Sequence, residues 1–432
     1  METAGMQNIK CDVAVIGGGP AGVSACLALA RQPELEIALF ENEADLGGIP
    51  RSAHVFFGMR DQRRVLTGPG YARRLSALIG RTPVKVNTDS TVVELAFSRN
   101  GGRHRLVVAG PGALTVCESR QVILAMGCFE TSRGSRLIPG TRPAGVFTTG
   151  TLQKLVNLQK LRPARRAVII GSEHVAFSAA LTLRQAGIKI VAMLEPAAEL
   201  HTYRLPAFGL SRWLGFPILK ARKIEAICGR ERVESVKTTD MRTGRQEKLP
   251  CDAVVITGSF QPEASLLYKT GLELDPWSLG PVVDDLLETS VEGVFAAGNV
   301  LRGANMHDLC ALEGARAAQG VLRRIKGRQE GRRALVRIIP EVPIRWVTPH
   351  RVDPSRILGR RTSWFKDGFS FQTSQTMEKV EVSAVAGGKC IWRKTYGRLI
   401  ANNTVPLPVE NFAWPAAGEG HDIRLICGAA KG

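Results

Sequence analysis

Residues 11–41, CDVAVIGGGPAGVSACLALARQPELEIALFE, restrict what this chain can fold into more than any other stretch. Val13 to Ile16 read as a buried strand, Gly17-Gly18-Gly19-Pro20-Ala21-Gly22 as a tight turn, Val23 to Ala30 as a helix, and Glu36 to Phe40 as the next strand. Strand, turn, helix and strand in this order is what a dinucleotide-binding β-α-β unit needs. Gly17 permits the sharp turn, Gly19 keeps a side chain out of the path of a pyrophosphate, and Gly22 lets the helix approach the strand. With Pro20 and Ala21 opening the helix, backbone amides of its first turn face the phosphate oxygens. Glu41, 24 positions after Gly17 and at the end of the second strand, offers a carboxylate to the two ribose hydroxyls of an adenosine. A lone G-x-G-x-x-G occurs in many glycine-rich loops, and a terminal Glu is often a solvated strand end. Together and in this order they predict a bound adenine dinucleotide.

The pattern recurs at 164–195, ARRAVIIGSEHVAFSAALTLRQAGIKIVAMLE, where Gly171 and Glu195 are again 24 apart. Ala167 to Ile170, Val175 to Gln185 and Lys189 to Leu194 read as strand, helix and strand, so a second unit of the same kind is expected. Its fingerprint is altered. Ala176 is an accepted packing substitute for the third glycine, whereas Glu173 puts bulk and negative charge at the second. Either this domain orders the first one or docks a partner, or it binds NAD(P) through a shifted loop with Glu173 turned outward. Sterics and electrostatics favour the former. Glu195 would select NAD over NADP if a cofactor binds.

Two further strands end in glycine: Gln121 to Gly127, and Thr289 to Gly298-Asn299. These elements resemble signatures of the pyridine-nucleotide-disulfide reductase superfamily. The resemblance implies an α/β fold of two interleaved Rossmann-like domains, the FAD domain split by an NAD-like domain, with a β-rich C-terminal region. The expected boundaries are 1–136, 137–270, 271–330 and 331–432, with Gly280 to Asp284 a short strand of the resumed FAD-domain sheet. It implies FAD contacts at Gly17, Gly19, Pro20, Ala21, Gly22, Glu41, Gly48, Gly127, Gly298 and Asn299. Asn299 stands where the superfamily usually has an Asp to the ribityl chain, and it can still hydrogen-bond to a hydroxyl or phosphate. A helix from Asn305 to Gly320 would aim its amino end at the flavin, placing His307 and Asp308 near the isoalloxazine or as helix caps.

Between 51 and 81 lie seven arginines, with Asp61 the only acid. Gly47-Gly48 marks a loop that passes the flavin in related proteins, and no cysteine pair follows it, which argues against a flavin-adjacent dithiol. Arg51 and His54 are candidate contacts to substrate or flavin, with His54 the best proton-transfer candidate. Leu46-Gly-Gly48, His54, Gly58-Met-Arg60 and Leu66 to Leu75, with Arg136 to Gly140 and Thr149 to Gln153, resemble the α subunit of multisubunit bacterial FAD-dependent amino-acid or amine dehydrogenases, among them opine, proline and hydroxyproline dehydrogenases. This resemblance implies that the partner is a second FAD-containing dehydrogenase subunit, that the complex takes an amino acid or amine as substrate, and that electrons pass from substrate-derived reduced flavin to an acceptor. FMN, an iron–sulfur cluster or a small iron–sulfur subunit would enter through such partners, since the tail has only Cys390 and Cys427. The alternatives are a stand-alone NAD(P)H-dependent reductase and a largely structural partner subunit.

The remaining features narrow the class. Nine scattered cysteines without a C-x-x-C fit a reduced cytoplasmic compartment and exclude a self-contained redox dithiol. The amino end shows no cleavable leader pattern, and no run reaches the length of a spanning helix, leaving peripheral attachment at the inner face of a membrane open. A formal charge of +19 attracts anions in general. Without an aromatic platform or helix-turn-helix signal, nucleic acid is not an expected partner. No Ser-His-Asp set, phosphate-binding Lys motif or metal-ligand cluster competes with flavin chemistry. In the tail, Val380 to Val385, Gly387-Gly388 and Lys389 to Trp392 read as a hairpin. Trp346, Trp364, Trp392 and Trp414, with Pro406, Pro408 and Pro415, fit a compact cap or docking region.

Overall fold

The computed structural model describes residues 7–54, 57–98, 101–327, 335–357, 368–414 and 421–430; Trp364 and Pro415 lie outside them. β1 (Gln7–Ile16), α1 (Pro20–Leu29) and β2 (Ile37–Phe40) realise the first unit. β1 and β2 run parallel, Val13 opposite Ile37 through Ile16 opposite Phe40. Val13 to Ile16 and Ile37 to Phe40 are buried at every position, so the apolar run is continuous rather than alternating; each fully buried Val, Leu or Ile stabilises by roughly 1.5–3 kcal/mol. α2 (Gly68–Ile79) begins at Thr67, whose hydroxyl accepts from the Gly70 amide at 3.2 Å, and it buries Tyr71, Ala72, Leu75 and Ile79.

β3 (Lys85–Asn87) extends the sheet beyond β2, while β4 (Thr91–Ala96), β5 (His104–Ala109) and β6 (Leu114–Leu124) form an antiparallel meander whose last strand lies parallel to β1. The order is β3-β2-β1-β6-β5-β4. The chain then leaves through β7 (Cys128–Glu130) to a second sheet.

That sheet contains β8 (Val146–Thr148), followed by α3 (Thr149–Gln153), β9 (Arg166–Ile170), α4 (His174–Gln185), β10 (Lys189–Glu195), α5 (Arg204–Leu214) and β11 (Ile218–Lys220). An antiparallel sheet of β12 (Arg222–Gly229), β13 (Val233–Asp240) and β14 (Gln246–Pro250) precedes β15 (Ala253–Ile256), which slots beside β9. The parallel order is β11-β10-β9-β15-β8. β16 (Phe260–Pro262) then pairs antiparallel with β7, so the outgoing and returning segments lie side by side.

β17 (Val294–Ala296) rejoins the first sheet parallel to β6, and α6 (His307–Ile325) packs on α1. Small residues make this packing close: a Cβ added at Gly314 would fall 1.9 Å from the Ala21 carbonyl oxygen. Residues 280–284, expected as a strand of the resumed sheet, instead make isolated bridges, Leu274 to Pro281 and Val283 to Thr289. The segment is packed closely at its start, where a Cβ added at Gly280 would lie 2.1 Å from the Leu301 carbonyl oxygen.

The tail is β-rich. β18 (Val336–Pro340), β19 (Ile344–Thr348), β20 (Arg351–Val352), β21 (Ser370–Thr373), β22 (Met377–Ala386), β23 (Lys389–Leu399), β24 (Thr404–Pro406) and β25 (Ile423–Ala429) form sheets ordered β20-β18-β25-β22-β23 and β19-β21-β24. Gly387 and Gly388, at φ 54° and 78°, close the expected β22–β23 hairpin with Ala386 opposite Lys389. Trp346 is buried in this region, and the Trp414 indole donates to the Val409 carbonyl at 3.0 Å. The tail docks on the first domain through Arg356, paired with Asp285 at 2.9 Å and Asp284 at 3.4 Å, and through His350, whose Nδ1 accepts from the Val283 amide at 3.2 Å.

Candidate functional site

The carboxyl ends of β1, β6 and β17 meet the amino end of α1, the place where an open α/β sheet forms a ligand crevice. Gly17 has φ 104°, and a Cβ there would lie 2.3 Å from the Ala125 carbonyl oxygen. One at Gly22 would lie 1.8 Å from the Gly17 oxygen. These two glycines let the backbones close on each other. Gly19 and Gly127 are different, since a Cβ added at either meets nothing within 4 Å. Open space at Gly19, in front of the first amides of α1, is the room that a diphosphate requires. Gly48, at φ 58°, faces Gly19, with an added Cβ 3.2 Å from its Cα. The glycines of the cradle therefore fit an FAD diphosphate.

The Glu41 carboxylate is buried and accepts from the Gly18 amide at 2.6 Å and the Glu43 amide at 2.9 Å. These bonds fix it at the strand end without using all of its lone pairs. Ala21 is a junction: an added Cβ at Gly298 would lie 2.8 Å from its methyl group, and Gly314 of α6 abuts its carbonyl. Asn299 accepts through Oδ1 from the Asn305 amide at 2.9 Å and the Cys310 thiol at 3.1 Å. Cys128 borders the same side chain, and burial pushes its thiol up to about 12.

The basic segment is bound to its surroundings by specific pairs. Arg51 bridges Glu43 at 2.5 Å and Asp45 at 2.6 Å, which fastens residues 49–52 to the loop after Glu41. Lys154 of the second domain also pairs with Glu43. Asn157 donates to the Ser52 carbonyl at 2.5 Å and reaches His54 Nε2 at 3.1 Å. With the amide donating, the neutral imidazole carries its proton on Nδ1; burial holds its pKa below the usual value.

His307 neither caps α6 nor stands alone. Its Nε2 accepts from the Gly58 amide at 2.9 Å, and its ring lies 4.1 Å from Phe57 and 5.1 Å from Tyr71 between centroids. Burial lowers its pKa, opposed by the nearby Asp308 and Asp61 carboxylates. Buried Asp308 pairs with Arg60 at 2.9 Å, while Tyr71 donates to Asp61 at 2.6 Å. The amino end of α6 is thus clamped to the segment after Gly48. Sequence reasoning missed Asn157, Tyr71 and the Ala21–Gly314 contact. Nothing local marks them, because each partner is remote along the chain or unexceptional in type.

Among the described residues no cluster of three or more His, Cys, Asp or Glu side chains is placed to hold a metal, and no helix is long and apolar enough to cross a membrane. Two nucleotide-type sheets, each with a parallel core, joined by paired connections and with one open glycine cradle, define a flavoprotein built from two dinucleotide-binding folds. Comparison with known proteins agrees: the pyridine nucleotide-disulphide oxidoreductase family matches residues 11–320, and the chain belongs to it. It is an FAD-dependent oxidoreductase. The chain is 28% identical over 359 residues to the ferredoxin reductase component of chlorobenzene dioxygenase from Cupriavidus sp. (strain PS12), covering 79% of each protein. It is 26% identical over 320 residues to an opine oxidase subunit from Rhizobium meliloti, covering 67% of this chain and 58% of that one. In structure it is similar to thioredoxin reductase from T. acidophilum, with a TM-score of 0.62 and 21% identity over 73% of this chain and 99% of the other, a likeness of fold.

Proposed function

We propose that this chain is the α subunit of a heteromeric amino-acid or amine dehydrogenase, passing electrons from substrate-derived reduced flavin to an acceptor, with domains divided near 136, 270 and 330. The observation that carries the reading is the pairing of an open first cradle with residues 49–54, which contain no cysteine and are held by Arg51 and Asn157. The likeness to the opine oxidase subunit supports the heteromeric form. Bound FAD supplies the two-electron chemistry.

The chain's own residues bind and orient. Amides at the start of α1 take the diphosphate, Gly17 and Gly22 hold that helix against β1, and Glu41 takes the ribose hydroxyls. Gly127, Gly298 and Asn299 border the remainder, with the Asn299 amide group as hydrogen-bond donor. His307 keeps Gly58 and its neighbours seated at the amino end of α6. The His54 imidazole, neutral and anchored by Asn157, is the group in this chain suited to move a proton, and Arg51 positions the loop that carries it.

The 28% identity to a ferredoxin reductase component favours one other reading, a stand-alone NAD(P)H-dependent reductase. Purification from native cells at moderate salt, with cofactor extraction and mass analysis, separates the two. The first reading expects FAD on this chain, a second flavoprotein bound to it, and flavin left oxidised by NADH. Isolation alone, with flavin rapidly bleached by NADH, would establish the reductase.

A further inference from the structure

The same turn occurs twice in the chain, and the two copies differ in what fills the space before the helix. Gly19 and Glu173 occupy equivalent positions with nearly the same backbone, φ −76° and ψ −173° against φ −70° and ψ 169°. The peptide path is shared by the copies, so the difference lies in the side chain. At Gly19 there is open space. At Glu173 the carboxylate turns inward across the mouth of its own loop. Its Oε2 is 2.9 Å from the Thr257 hydroxyl, an added Cβ at Gly258 would lie 2.4 Å from Oε1, and one at Gly171 would lie 2.7 Å from Oε2. It therefore rests against two glycines and the end of β15, where the diphosphate of a dinucleotide would have to sit.

Its surroundings are matched to it. Strand register makes Thr257 the counterpart of Ala125, each following the last paired residue of the strand beside the first β-strand of its unit. The first copy has a methyl group there, and the second has a hydroxyl facing the carboxylate. Arg136 donates to the carbonyl oxygens of Thr257 at 2.5 Å and of Gly258, placing positive charge beside Glu173. The adenosine end is not where the copies part, since Glu195 is anchored much as Glu41 is in the first copy. Glu195 accepts from the Ser172 hydroxyl at 2.5 Å and the Ala197 amide at 2.8 Å, and Ser172 Oγ accepts from the His201 amide at 3.0 Å. The misfit to NAD(P) lies at Glu173, whose carboxylate is held against Thr257 and Gly258.

We infer that Glu173 is a built-in plug whose carboxylate occupies the diphosphate seat of the second dinucleotide fold, so that this domain accepts neither NAD(H) nor NADP(H). The inference does not rest on the dehydrogenase reading, since a dehydrogenase subunit of that kind could equally carry an open second site.

Calorimetric titration of the full-length protein with NADH and NADPH tests it, reading binding rather than turnover. The wild type is expected to show no saturable binding below about 1 mM, and Glu173→Gly to bind at least about tenfold more tightly. Glu173→Gln, which keeps the volume, should reject both nucleotides as the wild type does. Glu173→Ala replaces the glycine variant if melting curves show that the latter does not fold. Micromolar binding by the wild type, a folded Gly or Ala variant that binds no better than the wild type, or a Gln variant that binds as well as the opened one would each overturn the plug.

Discussion

Placing a glutamate in the open cradle should reproduce there what the second fold carries naturally. In Gly19→Glu the backbone needs no adjustment, because Glu173 adopts nearly the same φ and ψ, and an added Cβ at position 19 meets no protein atom within 4 Å. The local cost at this helix N-cap is at most about 1 kcal/mol, so the flavin-free protein should melt close to the wild type. The effect on FAD is larger. A carboxylate about 4 Å from a phosphate charge costs about 4 kcal/mol at an effective dielectric constant of about 20. That corresponds to roughly a thousandfold loss of affinity, before any steric exclusion is added. The assay is flavin absorbance per chain after purification, with FAD titrated into stripped protein. A variant that retains FAD with an affinity within about threefold of the wild type would refute the assignment of this cradle to the diphosphate.

Gly22→Ala should destabilise the fold by about 1–3 kcal/mol in urea titration, because its Cβ would fall 1.8 Å from the Gly17 oxygen and backbone must move; an unchanged midpoint would contradict this. Burial holds the His350 imidazole down to about 4. Because this is below the unfolded value of about 6.5, its stabilisation is present above pH about 6.5 and lost as pH falls through about 4. Melting temperatures should fall across that window, less steeply in His350→Gln, and identical slopes would remove His350 as a cause. Of the nine cysteines only Cys390 is exposed, so brief iodoacetamide treatment of the native protein should label it first; rapid labelling of Cys26 or Cys310 would contradict the packing of α1 and α6.

Much of the fold was legible because its signals are local. Val13 to Ile16, the glycine turn and Glu41 lie within one β-α-β unit, and the hairpin at Gly387-Gly388 is a two-residue turn between consecutive strands. The strand expected at Gly280 to Asp284 is instead a pair of isolated bridges, because an extended segment joins a sheet only where a partner strand runs alongside, and that leaves no local pattern.

The amino-acid sequence by itself determined that two dinucleotide-type units exist, and that Gly19 in the first is matched by Glu173 in the second, since turn chemistry depends on residue type at fixed spacing. Whether Glu173 points to solvent or into its loop was open at that level. Only tertiary structure decided it, by bringing Thr257, Gly258 and Arg136 to the mouth of the turn. The same holds for Arg51, His54 and His307, whose roles depend on Glu43, Asn157 and Gly58. Side-chain direction and charge pairing are set by neighbours in space, and those neighbours come together only when the two sheets and the tail have packed.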